Sequence, residues 1–229
     1  EGEIKQKIKP IVGCVFYVCE DHLNKNYRDN GYHVVFLAKN KNGYNNLAKL
    51  SSIAYTKGFY YVPRIDKTLV EKYKDDIIVL TGNLMGEVSN KILNIGQKKA
   101  EEALLWWKEI FKDDLYIEIM RHNQEDEDLV NKILIDFSRK HDIKIVATNN
   151  NYYKEKSEAN AHDILLCIKE GEKLSTPIGK GRGFRYGLPN QQYYYKSSDE
   201  MKELFYDLPE AINNVFEVVN KIEEYTLSN

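Results

Sequence analysis

The sequence is poor in cysteine, has no large excess of charge of either sign, and has no long apolar run. Its three cysteines are too few for a disulfide framework. Cys14 and Cys19 have CxxxxC spacing without a second pair, which disfavours a zinc ribbon. Cys14 and Cys167 lie in apolar runs, so we predict buried thiols in a reducing compartment.

The net charge of -2 gives no indication of a basic surface over the whole domain, although it allows a local basic loop. No stretch reaches the length of a membrane span, and there is no signal-peptide pattern. We therefore expect a cytoplasmic protein without membrane contact. Because the chain begins at Glu1 without Met, we expect it to come from the middle of a longer protein.

The 229 residues are 42% hydrophobic, enough for the core of one large α/β domain or two small ones. Apolar runs typical of strands are Ile11–Val18, His33–Ala38, Ile77–Thr81, Tyr116–Met120 and Ile143–Ala147. Helical patterns separate them at Tyr44–Tyr55, Ala100–Phe111 and Asp126–Lys140. This alternation predicts a parallel sheet with right-handed crossovers, either open or part of a barrel.

The segment from Ile143 to Ile168 is the most informative. Its β-branched run predicts a buried strand that ends in the polar residues Thr148, Asn149, Asn150 and Asn151. A helix with Ala161, Ile164, Leu165 and Ile168 on one face follows. Polar residues at the carboxyl end of such a strand indicate a site, because α/β proteins place their sites there.

The pattern changes after Ile168. Glycine and proline concentrate between Glu170 and Gln192, which predicts a long loop or arm. Tyr193–Tyr195 is a candidate short strand. Ser197 and Glu200 fit a capping box for a helix through Phe205, and Pro209 fits the first turn of a last helix through Glu224.

Five histidines are candidates for site chemistry: His22, His33, His122, His141 and His162. His33 opens a predicted strand and His122 closes one, so both can point into a site at a sheet end. A cluster that cleaves phosphoesters needs several converging His and carboxylate ligands, and two histidines are too few. We interpret each as a hydrogen-bonded structural residue, and His162 with Asp163 as packing and capping.

Cations, glycines and aromatics mix at Lys180, Arg182, Phe184, Arg185 and Tyr186, a composition typical of contacts with single-stranded nucleic acid. The alternative is a surface arm that docks on a neighbouring domain. We favour the alternative because the segment is short and the rest of the domain is not basic.

The helical segment near Ala103 is apolar on more than one side, because Trp106 and Trp107 accompany Leu104 and Leu105. It is either deeply buried or meets a partner on one side. Contact with other parts of the same protein is our interpretation.

Several blocks in a fixed order resemble one family. They are GFYYVPRIDKTLVEKYKD, IIVLTGNLMGEV, AEEALLWWKEIF, IKIVATNNNYY, ANAHDILLCIKEGE and MKELFYDLPEAINN. They resemble the PHP (polymerase and histidinol phosphatase) domain of bacterial DNA polymerase III alpha subunits, from about Ile8 to Glu224. The resemblance implies an α/β fold, a distorted (β/α)7 TIM-like barrel that here lacks its N-terminal strands. It also implies three parts: the barrel at 1–170, the arm at 171–196, and a helical extension toward the polymerase palm at 197–229.

The resemblance also identifies six metal-ligand positions of the family. His33 and His122 keep their histidines. Val15 stands where the family has a Glu, Asn83 where it has a Cys, and Asn150 and Tyr152 where it has an Asp and a His. The N-terminal HxH motif of the family is absent from the chain. Val cannot coordinate, neutral Asn lacks the charge on which hard cations depend, and Tyr is a poor ligand at neutral pH.

The resemblance therefore implies a metal-free scaffold domain of a replicative DNA polymerase, with no catalytic residue and no cofactor of its own. Family members hold Zn or Mn in the PHP site, and the polymerase uses Mg. The implied partners are the remaining domains of the alpha subunit, with the exonuclease subunit and DNA as further candidates. Two alternatives remain: an active metal-dependent phosphoesterase or 3'-5' exonuclease, and a binding module for DNA or a subunit whose contacts are Lys180, Arg182 and Arg185.

Overall fold

A computed structural model describes residues 8–227 of the chain. The strands of this part are β1 (Gly13–Cys19), β2 (Tyr32–Ala38), β3 (Arg64–Asp66), β4 (Ile77–Leu80), β5 (Leu115–Ile119) and β6 (Ile145–Ala147). Its α-helices are α1 (Lys41–Thr56), α2 (Lys67–Lys72), α3 (Glu87–Asn94), α4 (Gln97–Phe111), α5 (Glu125–His141), α6 (Ala159–Glu170), α7 (Ser198–Leu204) and α8 (Pro209–Asn220).

The six strands form one sheet in the order β3-β1-β2-β4-β5-β6, which is not closed. The pairs β1–β3, β4–β5 and β5–β6 are parallel, as the alternation predicted. The prediction is wrong for β2, which runs antiparallel to both β1 and β4. No helix lies between β1 and β2 to carry the chain back across the sheet, so consecutive strands pair antiparallel.

The predicted helices form where capping and charge favour them. Asn40 caps α1 by accepting the Gly43 N–H at 3.1 Å. The first turn of α5 is acidic and its last turn is basic, which complements the helix dipole. Ser197 and Glu200 make the predicted capping box of α7, and Pro209 begins α8, which ends at Asn220, before Glu224.

Four further features differ from the prediction. β3, α2 and α3 were not predicted, since their segments are short and mix polar with apolar residues. The predicted strand Tyr193–Tyr195 is wrong, because only an isolated bridge joins Tyr194 to Tyr153. Backbone hydrogen bonds from Tyr152 to Tyr193 and from Tyr195 to Tyr153 flank this bridge, but the pairing does not continue into a strand.

The two faces of the sheet pack differently. One face carries the large core, which includes Phe16, Phe36 and Ile117 and is covered by α1, α3, α4 and α5. The other face, which we call the inner face, carries a smaller cluster in which Val218 and Ile222, in and just after α8, cover Tyr116. The register places Val15, Val35, Leu80 and Tyr116 in one row of the inner face, because paired strand residues share a face.

Trp107 is buried in the large core, and Trp106 packs edge-on against it at 4.9 Å. The Lys67 Nζ lies 4.5 Å from the centre of the Trp106 ring. The second apolar side of α4 is therefore covered in part by this chain itself. Of the cysteines, Cys19 and Cys167 are buried and Cys14 is half-buried.

No helix within residues 8–227 combines the length and the apolarity that crossing a membrane requires.

Candidate functional site

His122, just after β5, is completely buried and has a partner for each ring nitrogen. Its Nδ1 lies 2.8 Å from Glu127 Oε1, and its backbone N–H donates to Glu127 Oε2 at 2.6 Å. Its Nε2 accepts the backbone N–H of Asn150 at 3.2 Å. Since Nε2 accepts, the network assigns the ring proton to Nδ1. The Nε2 lone pair that a metal needs is already used within the chain.

Aromatic rings cover His122. Tyr193 stacks on the imidazole with ring centres 4.4 Å apart and planes 7° apart, and Tyr152 meets Tyr193 edge-on at 5.9 Å. Gln124 donates to the Tyr193 hydroxyl at 2.6 Å, while Asn190 donates to the His122 carbonyl at 2.6 Å. Burial raises the pKa of Tyr193. The end of the arm thus holds the residue that follows β5.

His33 lies on the inner face and packs edge-on against Tyr17, with ring centres 4.7 Å apart. Its Nε2 is buried and has no hydrogen-bond partner among the described residues. Burial lowers the pKa of His33, which favours the neutral ring. Of the two retained histidines, His33 is the one whose Nε2 has no hydrogen-bond partner among the described residues, while His122 Nε2 accepts from Asn150.

The other four family positions do not supply the missing metal ligands. Val15 lies on the inner face with half of its surface exposed, at 51%. Asn83 Oδ1 accepts the Met85 N–H at 2.9 Å and so stabilises the turn after β4. Asn150 contacts His122 through its backbone, and the Tyr152 ring is half-exposed. The structure therefore brings His122, Asn150 and Tyr152 together, while His33, Val15 and Asn83 lie on and after other strands.

Within residues 8–227, a single group of three or more His, Cys, Asp or Glu side chains has its ligand atoms close together: Asp21, His22 and Asp66. Asp66 already caps α2 by accepting the Leu69 N–H at 3.0 Å, and it also contacts His22 Nδ1. This group fastens the loop after β1 to the start of α2. None of its members is one of the six metal-ligand positions of the family.

Glu118, on β5, is a site residue that sequence reasoning missed. It is buried on the inner face, where its Oε1 accepts the Thr148 hydroxyl at 2.6 Å. Its Oε2 is buried and has no partner among the described residues. Burial raises the pKa of Glu118. The available signal was a lone carboxylate between Ile117 and Ile119 in an otherwise apolar strand.

We expect Glu118→Gln to stabilise the chain more strongly as the pH rises. Because the pKa of Glu118 is raised above its ordinary 4.5, its contribution to stability is fully present below that value and is lost as the pH rises through the folded-state pKa. Urea unfolding of both proteins at about pH 4 and about pH 8 measures the change.

Thr148→Val is the companion variant for this measurement. It removes the hydroxyl that favours the ionised carboxylate, so the pKa of Glu118 should rise further and the total loss of stability with rising pH should become larger. A difference between wild type and Glu118→Gln that stays constant over this range would contradict the assignment.

Arg185, the predicted nucleic-acid contact nearest the end of the arm, is buried and paired. Its guanidinium donates to both carboxylate oxygens of Asp163 at 2.6 and 2.7 Å and to the Thr176 carbonyl at 2.8 Å. It therefore closes the arm onto α6 and has no free face for a phosphate.

Lys180 and Arg182 are exposed, and their contact with nucleic acid stays a prediction. Asp163, interpreted as a cap, is the other half of this pair, while His162 packs against Tyr152 and Tyr153.

Lys196 is a second cation buried beside the polar turn after β6. Its Nζ donates to Asn149 Oδ1 at 3.3 Å and to the Gln192 carbonyl, and burial lowers its pKa. Asn149 in turn donates to the Tyr194 carbonyl at 2.9 Å. The polar turn is thus occupied by hydrogen bonds to the arm.

Comparison with known proteins shows similarity to one family. The PHP domain family matches residues 3–122. DNA polymerase III subunit alpha of Campylobacter jejuni is 40% identical over 227 residues, which is 94% of this chain and 18% of that protein. The subunit of Borreliella burgdorferi is 37% identical over 228 residues, which is 98% of this chain and 19% of that protein. For Helicobacter pylori the values are 37%, 95% and 18%. The chain spans about a fifth of the length of these curated relatives.

Proposed function

Because the chain belongs to the PHP domain family, we propose that it is a scaffold domain of a bacterial replicative DNA polymerase, without bound metal and without hydrolytic activity of its own. The relatives that align with nearly all of it are named as alpha subunits of DNA polymerase III. Its place would be in DNA replication, with polymerisation carried out by other domains. No catalytic residue is assigned to this chain.

The finer architecture is part of the same proposal. A distorted (β/α)7 barrel that lacks its first strands would leave an open sheet, with β3 and β6 as edges. It would also leave the inner face uncovered at Val15. In this arrangement α7 and α8 form the helical extension, and α8 covers the inner face only near Tyr116.

The proposal of a site without metal is supported by the hydrogen bonds that its potential ligand atoms already make within the chain. His122 Nε2 accepts from Asn150, Asn83 Oδ1 accepts from Met85, and Val15 has no donor atom. Among residues 8–227, His33 Nε2 and Glu118 Oε2 are buried atoms of inner-face strands that have no hydrogen-bond partner. A cluster of hard cations needs several oxygen ligands with negative charge, so the residues present do not fit the metal group of the family.

The geometry supports a structural role for the same residues. The polar ends of β5 and β6 contact the arm: His122 contacts Asn190 and Tyr193, and Asn149 contacts Tyr194. A side-chain network that is satisfied by hydrogen bonds holds its neighbours in one arrangement. We infer that the former site now fixes the position of the arm and of the helices after it.

Metal analysis of the purified chain tests this proposal. We expect Zn, Mn and Fe far below one atom per chain, and no release of nitrophenol from nitrophenyl phosphate with added Mn. The matched control is His33→Ala, which removes the one retained histidine with a free Nε2 and should leave both results unchanged. Near-stoichiometric metal in the wild type that is lost in His33→Ala would overturn the proposal and favour an active phosphoesterase.

A further inference from the structure

A cleft of about 540 Å³ lies between the end of β1, the loop that follows it, and the starts of α2 and α3. This volume is within the range of about 300–1,000 Å³ that is typical of small-molecule sites. None of its lining residues is one of the six metal-ligand positions of the family. Its charged lining residues are Glu20, Arg28, Asp29, Lys67, Glu87 and Lys91.

The three charged residues of the loop are engaged within the chain. Asp29 accepts the backbone N–H of Glu20 at 2.9 Å, and the Glu20 carboxylate accepts the Tyr27 hydroxyl at 3.0 Å. The Arg28 guanidinium lies 4.7 Å from the centre of the Tyr61 ring. The remaining charges of the lining come from α2 and α3.

Those remaining charges are two lysines that share one oxygen atom. Lys67 Nζ and Lys91 Nζ donate to Glu87 Oε1 at 3.1 and 2.7 Å, so the two ammonium groups lie less than 6 Å apart. Within residues 8–227, Glu87 is the only hydrogen-bond partner of either group. Two positive charges at fixed positions therefore share one negative charge.

Both ammonium groups can accept a further anionic partner. The Lys67 side chain is 35% exposed and the Lys91 side chain is 21% exposed, so solvent reaches both. Each ammonium has three N–H groups, and Glu87 uses one of them. Like charges at this separation repel each other, and an anion that contacts both would offset the repulsion.

We propose that Lys67 and Lys91 bind a phosphate dianion, carried by a small phosphate monoester or by inorganic phosphate. A terminal phosphate has three strong acceptor oxygens and a charge of about −1.5 to −2 at neutral pH, so it can accept from both ammonium groups while Glu87 stays in place. Tyr27 and Tyr32 also line the cleft, which gives an aromatic base on the phosphate a surface to pack against. The scaffold role of the chain does not require this site.

Tryptophan fluorescence of the chain tests phosphate binding, because both of its tryptophans contact this network. Lys67 Nζ lies 4.5 Å from the centre of the Trp106 ring, and the Trp107 indole N–H donates to Glu87 Oε2 at 2.8 Å. The chain is titrated with sodium phosphate at about pH 7.5, where the dianion dominates, and sodium chloride keeps the ionic strength constant. We expect a saturable change in fluorescence. The half-saturating phosphate concentration should rise about tenfold or more in Lys67→Gln and in Lys91→Gln.

Lys49→Gln is the matched control, since it removes an exposed lysine of α1 outside the cleft. It should change the half-saturating concentration by less than about twofold. Lys91→Arg keeps the positive charge and should bind phosphate more tightly than Lys91→Gln. Circular dichroism checks that each variant is folded, and broadening of the phosphorus NMR signal measures binding independently of the tryptophans.

A parallel titration with adenosine monophosphate distinguishes the two sources of the phosphate. Half-saturation at a clearly lower concentration than for inorganic phosphate would indicate a nucleotide-like ester, and equal values would indicate the phosphate group alone. A fluorescence change that does not saturate would overturn the proposal. So would equal half-saturating concentrations in the wild type, Lys67→Gln and Lys91→Gln, whatever the metal analysis finds.

Discussion

Replacing Arg64 by alanine should lower the free energy of unfolding by about 3–4 kcal/mol, near the upper end for single substitutions. The Arg64 side chain is fully buried, and its guanidinium binds four backbone carbonyls. Nε donates to Gly58 at 3.1 Å, Nη1 to Asp29 at 2.9 Å, and Nη2 to Asn24 at 2.8 Å and His22 at 3.3 Å. Alanine leaves a cavity and unpaired carbonyl groups.

The physical basis of this effect is the loop between β1 and β2. That loop has no helix, and its carbonyls at positions 22, 24 and 29 meet the one guanidinium on edge strand β3. Because a guanidinium has five N–H groups in a planar fork, it can bind carbonyls on several sides at once. Lysine lacks this geometry, so Arg64→Lys should recover less than half of the loss.

Urea unfolding followed by circular dichroism measures the Arg64 effect. The matched control is Arg28→Ala, an exposed arginine of the same loop, which should change the free energy of unfolding by no more than about 0.5 kcal/mol. If Arg64→Ala stays within about 1 kcal/mol of the wild type at unchanged m-value, the guanidinium does not hold the loop.

Glu87→Ala is the second change with a large expected effect, a loss of about 2–4 kcal/mol at neutral pH. The carboxylate is buried at the start of α3. Its Oε1 accepts from Lys67 at 3.1 Å and from Lys91 at 2.7 Å, and its Oε2 accepts the Trp107 indole N–H at 2.8 Å. Alanine leaves both ammonium groups and the buried indole without this partner.

The pH dependence of Glu87 separates its charge from its packing. Burial opposes ionisation, but Lys67, Lys91 and the Trp107 N–H outweigh it, and the pKa of Glu87 lies below its ordinary 4.5. Its contribution is therefore present above 4.5 and is lost as the pH falls through the folded-state pKa. Glu87→Gln keeps an acceptor for the indole, so it should cost less than Glu87→Ala.

Unfolding of wild type and Glu87→Gln at about pH 7 and about pH 3 checks this sign. The advantage of the wild type should be clear at neutral pH and should shrink in acid. An advantage that is equal at both values would mean that packing, and not charge, explains the stability at this position.

Glu87 and Glu118 show that a sequence pattern does not predict the direction in which the fold shifts the pKa of a buried carboxylate. Each is a carboxylate that is buried in the fold, yet burial with two lysines lowers one pKa while burial with a single hydroxyl raises the other. Lys91 is on the same helix as Glu87, but Trp107 lies 20 positions away along the chain. The spacing of four residues predicts the Lys91 contact, but Lys67 and Trp107 each lie 20 positions from Glu87 and reach it only on folding, so no local pattern predicts them.

The same distinction applies to the candidate site: the sequence gives its residue types, and only the fold gives its contacts. The residue types at positions 15, 83, 150 and 152 were sufficient to predict weak metal chemistry, because coordination depends on donor atoms. They were not sufficient to predict that Asn150 contributes its backbone N–H, that Tyr193 stacks on His122, or that Arg185 is buried against Asp163. Each of these contacts joins segments that are at least 22 residues apart.

The sequence by itself determined the alternation of strands and helices, the caps of α7 and α8, and the membership of the family, because these depend on local periodicity and residue type. Only the tertiary structure decided the antiparallel direction of β2, the burial of Glu118, and the face of α6 that solvent reaches. Those three features depend on which distant segments of the chain come into contact. Chain topology and packing determine these contacts, and local periodicity does not.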